Sequence, residues 1–348
     1  MPNHFTRRDF IRGSALSMLL ATGAAILGRA PRRSSAAPPV QTGHEDHMDM
    51  AHDMATTMGE VDHTRNGFNP SDLLTDFDYG QVSTLDNGQT LREYDFVAFD
   101  KMLEVVPGIE FPAWTYNGRI PGPTIRCTEG DHVRIRFTNA SSHPHTIHFH
   151  GIHPFEVDGV PGAGPGLIQP GQNFTYEFEA EPFGLHLYHC HAFPLARHIA
   201  KGLYGAFIID PKEGRPPVDH EFMMVMNGLD IDFDDENDFY AVNTIPFHFQ
   251  QNPIPIKVGE LVRIYLVNAL EFDLVNSFHL HANFFHYYPT GTSLTPTEFT
   301  DTIIQGQAQR GILEFSFKYP GRFMFHAHVT EFAELGWSGN FDVSDLDV

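Results

Sequence analysis

The chain has only two cysteines, and one of them, Cys190, stands between two histidines. The stretch LHLYHCHAFPLARHIAKGLYG, residues 185–205, places His189 and His191 on either side of it and His198 eight residues further on. A cysteine thiolate combined with two imidazoles is the ligand set of blue-copper electron-transfer sites. This spacing therefore predicts a redox-active copper site around Cys190.

Four His-x-His pairs in matched positions of the two halves form the second chemical pattern. On a β-strand, residues i and i+2 point to the same face, so each pair presents two imidazoles to one side. One metal ion needs only about four ligands, and eight imidazoles therefore suit a cluster of three metals better. Imidazole alone does not identify the metal. The pairs are His148/His150, His189/His191, His279/His281 and His326/His328.

A blue-copper site at Cys190 needs a second histidine from a neighbouring strand. His145, three residues before the first pair, fits this role. Leu203 lies five residues after His198, where a methionine would serve as an axial ligand. Because leucine cannot coordinate, the sequence predicts a three-coordinate copper with a raised reduction potential.

The two halves of the chain are an internal duplication. The motifs EGDHVRIRFTN, HTIHFHG and FGLHLYHCH of the first half match VGELVRIYLVN, NSFHLHA and PGRFMFHAH of the second. The second half keeps its histidine pairs, but Asn276 replaces His145, Ala327 replaces Cys190, and Trp337 falls near the position of Leu203. The ligands disappear together, which predicts one blue copper in the first half and one cluster drawing on both halves.

Alternating polar and apolar residues over 131–139, 174–181 and 260–268 predict half-buried strands, and Gly- and Pro-rich turns separate such runs. No long segment has a helical period. The pattern favours an all-β fold with two antiparallel sandwiches or barrels. The charged, Pro-rich segment 210–220 marks the boundary, giving domains at 85–213 and 214–348.

The N-terminus resembles an export signal. TRRDFI carries paired arginines, the apolar run that follows is short for a membrane span, and SSAAPP offers small residues for cleavage. We expect a twin-arginine signal peptide over 1–37 and a periplasmic or otherwise extracytoplasmic protein, the alternative being an uncleaved anchor. Residues 38–84 are predicted to be a flexible tail, whose His/Met-rich stretch 44–63 either binds copper or is a plain linker.

The net charge and the number of cysteines exclude some classes of binding partner and limit disulfide formation. The formal net charge is −22 over 348 residues, and the predicted signal removes six arginines with one aspartate. Such an acidic surface disfavours nucleic acid and anionic membranes, and no stable membrane insertion is expected. Two cysteines in an exported protein could form a disulfide. Because Cys190 is assigned to copper, Cys127 is expected to be a buried thiol.

The motifs HFHG, FGLHLYHCH…H…GLYG and FHAH…EFAELGW together resemble the multicopper oxidases, in particular their small two-domain, laccase-like group. The resemblance covers residues 85–348. It implies two cupredoxin-like Greek-key β-sandwich domains, a homotrimer, and four coppers per functional unit. The implied ligands are His145, Cys190 and His198 for type 1 copper, with Leu203 non-coordinating; His148 and His279 for type 2; and His150, His189, His191, His281, His326 and His328 for the two type 3 coppers.

The resemblance also implies an activity, namely one-electron oxidation of a phenol-like or metal-ion donor coupled to four-electron reduction of dioxygen to water. Electrons would enter at an exposed edge of His198 and pass from Cys190 to its neighbours His189 and His191. Protons are needed as well. The candidate proton relays, which are otherwise ordinary surface carboxylates, are Asp158, Glu331 and Glu334.

Two other functions stay open. Copper nitrite reductases also have two cupredoxin domains, but their motif has an aspartate at the position of His148 and no histidine after the cysteine, where this chain has His191. A non-enzymatic copper-binding or electron-transfer protein would need the Cys190 site but not eight further imidazoles. A cluster shared by both domains requires either closure within one chain or a closed head-to-tail ring.

Overall fold

A computed structural model of the chain describes residues 59–151 and 153–345. The predicted signal peptide at 1–37 lies outside the described residues, as does most of the His/Met-rich stretch at 44–63. Within the described part, two β-sheets make up a first domain and two further sheets a second domain. The all-β fold class is confirmed.

The first domain buries a hydrophobic core between its two sheets. One sheet has the strand order β2-β3-β6-β8, with β4 paired to β3, and the other has the order β1-β5-β10-β9-β7. The strands are β1 (Phe77–Asp78), β2 (Gln81–Thr84), β3 (Thr90–Val106), β4 (Ile109–Tyr116), β5 (Thr124–Thr128), β6 (His132–Asn139), β7 (His148–Phe149), β8 (Asn173–Glu179), β9 (Gly184–His189) and β10 (Tyr204–Asp210).

The second domain repeats this arrangement around its own core. Its sheets have the orders β12-β11-β14-β19-β16-β17 and β13-β21-β20-β15-β18. The strands are β11 (His220–Leu229), β12 (Phe239–Val242), β13 (Ile254–Lys257), β14 (Leu261–Asn268), β15 (Val275–Leu280), β16 (Phe285–Pro289), β17 (Glu298–Thr300), β18 (Thr302–Gly306), β19 (Arg310–Ser316), β20 (Gly321–His326) and β21 (Ser338–Ser344).

Helices in the described chain are short. None is long and apolar enough to cross a membrane. A single 3-10 turn at Phe155–Val157 follows β7. The α-helices are α1 (His63–Asn66), α2 (Pro70–Leu73), α3 (Leu195–Ala200), α4 (His248–Gln251) and α5 (Thr330–Glu334).

The predicted alternating strands form where expected, as β6, β8 and β14. Along β6 the side chains of Val133, Ile135 and Phe137 are fully buried, while Arg134 and Arg136 face the opposite side. The sheets are mixed rather than antiparallel, because β3 pairs with β6 and β11 with β14 in parallel. Parallel neighbours arise when the intervening chain crosses to the other sheet and returns.

The predicted flexible tail extends too far, because residues 63–84 form α1, α2, β1 and β2. Asn69 caps α2 by accepting the Ser71 N–H, and Pro70 occupies the first helical position. Phe68 and Leu73 are buried in a third hydrophobic cluster, which contains residues of both domains. This segment therefore packs between the domains, although no periodic pattern marks it in the sequence.

A charged network also joins the domains. Arg126 on β5 donates to Asp210 at 2.7 Å and to Glu221 of β11 at 2.8 Å. Glu221 also accepts from Arg263 at 3.1 Å and from the Tyr265 hydroxyl at 2.7 Å. Hydrogen bonding on this scale satisfies charges that are largely removed from water.

Candidate metal centres

The residues of the predicted blue-copper site lie together in one buried group, called here the Cys190 group. It consists of His145 before β7, Cys190 directly after β9, and His198 on α3. The Cys190 Sγ is 3.3 Å from His198 Nδ1 and 3.7 Å from His145 Nδ1, and the two Nδ1 atoms are 3.2 Å apart. Each residue is at most 3% exposed. Three donor atoms this close fit one shared ion.

Burial sets the protonation states of the Cys190 group. Loss of hydration lowers the pKa of His145 to about 3 and that of His198 to about 4, so both imidazoles stay neutral with a free lone pair at neutral pH. Burial raises the pKa of the Cys190 thiol to about 11. The thiol therefore needs a bound cation to release its proton near pH 7.

A hydrogen-bond chain orients His145. Its Nε2 lies 2.9 Å from the Ser141 Oγ, and the Ser141 hydroxyl donates to the Asp100 carboxylate at 2.6 Å. Because that proton goes to Asp100, the serine oxygen accepts from the His145 Nε2–H. This leaves the Nδ1 lone pair directed at Cys190. Sequence reasoning did not identify Ser141 or Asp100.

The fourth side of the Cys190 group is apolar. Leu203 is fully buried in the same core cluster, and its carbonyl accepts the Cys190 N–H at 2.9 Å. The leucine side chain has no donor atom, so this position supplies no axial ligand.

An aromatic ring packs against His198. The indole of Trp114 on β4 lies at a ring-centroid distance of 4.6 Å from the His198 ring, and His198 as a whole residue is 3% exposed. The same indole lies 5.2 Å from the His145 ring. Trp114 therefore contacts both imidazoles of the Cys190 group.

The histidine pairs of the first domain converge as a first-domain quartet, His148, His150, His189 and His191. His148 and His189 are cross-strand partners on β7 and β9. The His148 Nδ1–H donates to the Asp158 carbonyl at 2.8 Å, and the His189 Nδ1–H to the Cys190 carbonyl at 2.9 Å. Their Nε2 atoms are thus left free for a metal, and the His189 Nε2 lies 3.0 Å from the His150 Nε2.

Burial lowers the pKa of three histidines of this quartet. It lowers the pKa of His148, that of His150 to about 3 and that of His189 to about 4. The His191 ring centroid lies 5.2 Å from that of His148, and the His191 N–H donates to the Thr146 Oγ1 at 2.9 Å.

The second-domain quartet, His279, His281, His326 and His328, has the same construction. His279 and His326 are cross-strand partners on β15 and β20. The His279 Nδ1–H donates to the Asp301 carbonyl at 3.0 Å, and the His326 Nδ1–H to the Ala327 carbonyl at 2.6 Å. The His281 Nε2 is 2.9 Å from the His326 Nε2. His328 completes the set, with its ring 5.1 Å from that of His279.

The two quartets are separate in the chain. Among the described residues, no ring contact or hydrogen bond joins a histidine of one quartet to a histidine of the other. His281 and His328 are exposed, so the second-domain quartet faces solvent. Exposed apolar side chains of the same domain are Leu274, Val275, Phe284, Phe299, Ile304 and Met324.

Asp158, a candidate proton-relay residue, contacts two histidines. The Asp158 Oδ1 lies 3.2 Å from the His148 Nδ1 and 3.5 Å from the His153 Nε2. Glu331 and Glu334 lie on α5, which begins two residues after His328. Glu334 is exposed, and no hydrogen bond or ion pair among the described residues links it to a histidine.

The donor sets fit copper. A thiolate with two imidazoles suits a blue-copper ion. In each quartet, two imidazoles have Nδ1 anchored on a carbonyl, which suits an ion bound through Nε2. The Cys190 thiol is free to bind a metal. Cys127, the other free cysteine, is buried elsewhere in the first-domain core.

Imidazole quartets beside a thiolate group, on duplicated β-sandwiches, characterise copper-dependent oxidoreductases. Two family models, both described as multicopper oxidase, match residues 101–214 and 222–347. The chain belongs to the multicopper oxidase family, and its domains are of the cupredoxin-like class that the sequence predicted. Copper binding follows from this membership.

Known relatives include different copper enzymes. A solved structure of a multicopper oxidase is 64% identical, with a TM-score of 0.81, and the match covers 82% of this chain and all of that one. The copper-containing nitrite reductase of Neisseria meningitidis serogroup A is 32% identical over 66% of this chain. The match spans 63% of that protein's length. The copper resistance protein A of Escherichia coli is 36% identical over 38% of this chain and 21% of its own length.

Proposed function

We propose that the protein is a laccase-like multicopper oxidase, which couples one-electron oxidation of a reducing donor to the reduction of dioxygen to water. The observation that carries the proposal is the presence of eight imidazoles in two matched quartets, the first of which adjoins a single thiolate group. When bound, copper would supply one-electron redox chemistry and a site for dioxygen. An electron carrier needs only the thiolate group.

The residues of the chain connect the two kinds of site. His189 and His191 are the covalent neighbours of Cys190. Three consecutive residues of the chain therefore supply ligands to both the Cys190 group and the first-domain quartet. The carbonyl of Cys190 also accepts from His189 Nδ1, which adds a second connection. Asp158 lies beside His148 and is placed to hold a proton near the quartet.

We further propose that each functional cluster joins the first-domain quartet of one chain to the second-domain quartet of another, in a closed head-to-tail homotrimer. The exposure of the second-domain quartet, and its separation from the first-domain quartet within one chain, support this assembly. The proposed content is four coppers per functional unit, one type 1, one type 2 and two type 3, held by the residues assigned from the sequence.

Location is part of the proposal and rests on sequence alone. The paired arginines of TRRDFI, the short apolar run and the small residues near Ala36 support export by the twin-arginine route to the periplasm or outside the cell.

The proposal is tested by oxygen consumption with a dye as electron donor. The copper-loaded protein is expected to consume dioxygen and lose this activity when Cys190 is changed to Ser, because the electron route passes this residue. The matched control is Cys127→Ser, the same change at a buried cysteine outside the metal groups. Equal oxygen consumption by the native protein and Cys190→Ser would overturn the proposal.

Nitrite reduction is a second candidate, favoured by the nitrite reductase relatives at 32% identity. It requires a single catalytic copper where this chain retains full quartets, including His148 and His191. Anaerobic nitrite consumption with the same dye, compared with oxygen consumption, separates the two activities. We expect dioxygen to be the preferred acceptor.

A further inference from the structure

A cavity of about 560 Å³ lies on the outer side of Trp114, opposite the Cys190 group. Its lining includes Trp114 on β4, His143, and Phe233 from the β11–β12 loop of the second domain. The Trp114 ring centroid is 4.6 Å from that of His143 and 4.6 Å from that of His198. His198 does not line the cavity, but Trp114 both lines the cavity and packs against His198, so this indole lies between a bound molecule and the Cys190 group.

Three cationic side chains, Lys101, Arg197 and Lys201, line the same cavity. The Lys201 Nζ lies 4.4 Å from the centre of the Phe233 ring and 5.1 Å from that of Trp114, but no carboxylate of the described residues forms an ion pair with it. The Arg197 guanidinium is 3.8 Å from the Asp235 carboxylate, a loose contact. In a chain of net charge −22, this cavity is a local site of positive charge.

The one carboxylate of the cavity wall is already satisfied. Asp100 accepts hydrogen bonds from the hydroxyls of Ser141 and Ser142 and from the Ser142 N–H. Among the described residues, no cavity-lining group has the three clustered donors that a metal ion needs. The lining of aromatic rings and cations therefore suits an organic anion with an aromatic ring rather than a metal ion.

We infer that this cavity binds a phenol carrying an anionic substituent, such as a carboxylate, and that Trp114 is the residue through which its electron reaches His198. The ring packs on Trp114 and the anionic group pairs with Lys201. The inference rests on the proposed function for the final oxidant. Each phenol loses one electron and its phenolic proton, which passes to solvent, and becomes a phenoxyl radical that keeps its anionic substituent. Four such oxidations reduce one dioxygen to two waters.

Binding can be measured without copper. The chain has two tryptophans, Trp114 and the fully buried Trp337 of the second domain, so quenching of fluorescence by a cavity ligand reports Trp114. 4-Nitrobenzoate is expected to quench the copper-free protein saturably. Lys201→Gln should weaken this binding about tenfold, because one desolvated charge pair is lost.

Two controls test whether the effect is specific. Lys318→Gln removes an exposed lysine that also lies over an aromatic ring, and it should leave 4-nitrobenzoate binding unchanged. The neutral 4-nitrobenzamide should bind the native protein and Lys201→Gln equally. Equal 4-nitrobenzoate binding by the native protein and Lys201→Gln would overturn the assignment of an anion-binding cavity.

Electron entry is tested separately and without dioxygen. Ferulate, a phenol with a carboxylate, is mixed anaerobically with the copper-loaded protein, and bleaching of the blue absorption is followed. Trp114→Leu should slow bleaching at least about tenfold, because the electronic contact to His198 is lost, and Trp114→Phe should restore part of the rate. The blue absorption before mixing shows whether the Cys190 group is intact in each variant.

The outcomes distinguish this inference from the proposed function. Bleaching at the native rate in Trp114→Leu, with normal blue absorption, would overturn the role of Trp114. Bleaching that depends on Trp114, in a protein that does not then consume dioxygen, would support the electron-entry route while refuting the proposed oxidase activity.

Discussion

The indole N–H of Trp337 donates to the Asn276 Oδ1 at 3.1 Å, inside the core of the second domain. Both residues are fully buried. They occupy the positions that Leu203 and His145 occupy in the first domain. The place corresponding to the Cys190 group is therefore filled by a hydrogen-bonded indole and amide, and no metal ligands remain there.

Backbone hydrogen bonds establish this correspondence. The Cys190 N–H donates to the Leu203 carbonyl at 2.9 Å, and the Ala327 N–H donates to the Trp337 carbonyl at 3.2 Å. The duplication thus extends to single hydrogen bonds around the two sites. The second domain has the same backbone hydrogen bonds, but packed side chains fill the position that the metal ligands occupy in the first domain.

Changing Trp337 to Phe should destabilise the second domain. The variant leaves a cavity and removes a buried hydrogen bond of Asn276, so we expect a loss of about 2–4 kcal/mol in the free energy of unfolding. Urea unfolding of the copper-free protein measures it. Phe299→Leu, at an exposed aromatic, is the control and should change stability little. An unchanged free energy of unfolding in Trp337→Phe would show that this packing contributes nothing.

The metal ligands could be predicted from the sequence because their geometry is local. The pair His148/His150 follows from the two-residue repeat of an extended strand, and Cys190 is adjacent in sequence to its quartet neighbours. Trp114 and Asp100 could not be predicted. Trp114 lies on β4 and Asp100 on β3, tens of residues from the ligands, and only the packing of the sheets brings them close to the Cys190 group.

Contacts between distant parts of the chain also explain why the packing around His198 and the structure of residues 63–84 were not predicted. The burial of His198 depends on an aromatic ring from another strand, which no spacing rule contains. The folded structure of residues 63–84 depends on Phe68 and Leu73, two isolated apolar residues that pack in a hydrophobic cluster with residues of both domains. Strand β6, by contrast, carries its alternating burial pattern in its own sequence, whereas β14 is buried on both faces from Val262 to Asn268.

Ser141→Ala should weaken copper binding by the Cys190 group. The hydroxyl accepts from His145 Nε2 and so holds the ring with Nδ1 toward Cys190. Loss of such a support typically costs about 10–100-fold in metal affinity. Copper titration followed by the blue absorption measures the change. The matched control is Ser142→Ala, because Ser142 also donates to Asp100 but has no contact with His145; if both variants bind copper equally, Ser141 has no orienting role.

Glu221 should make the stability of the folded chain depend on pH. Burial opposes its ionisation, but hydrogen bonds from Arg126, Tyr265 and Arg263 outweigh burial and lower the pKa of Glu221 to about 2, against 4.5 for the ordinary side chain. Because the folded pKa is the lower one, ionised Glu221 stabilises the protein above pH 4.5. That contribution is lost as the pH falls from 4.5 toward 2.

Unfolding of the copper-free protein tests this prediction. Glu221→Gln should lower the free energy of unfolding at pH 7 by about 2–3 kcal/mol, and the gap from the native protein should shrink below pH 4.5. The control is Glu110→Gln, which removes an exposed partner of Arg65 and should cost less than about 1 kcal/mol. A gap that stays constant from pH 7 to pH 3 would contradict the prediction.

The proposed intermolecular cluster predicts complementation between inactive variants. One variant carries His148→Ala with His150→Ala and lacks a working first-domain quartet. The other carries His279→Ala with His281→Ala and lacks the second-domain quartet. Each alone should consume no dioxygen. When equal amounts are co-expressed, rings of three form from random mixtures of the two variants. An interface then has two working quartets about a quarter of the time, so about a quarter of native activity should return.

This outcome depends on whether the two quartets of a cluster come from one chain or from two. If both quartets of a cluster came from one chain, no mixture of the two variants would restore oxygen consumption, and a monomer would carry the full copper content on a sizing column. Co-expression of two differently tagged copies of the same variant controls for expression level and should stay inactive. Recovery only in the mixed sample, eluting at the size of a trimer, requires that the exposed second-domain quartet is completed by another chain.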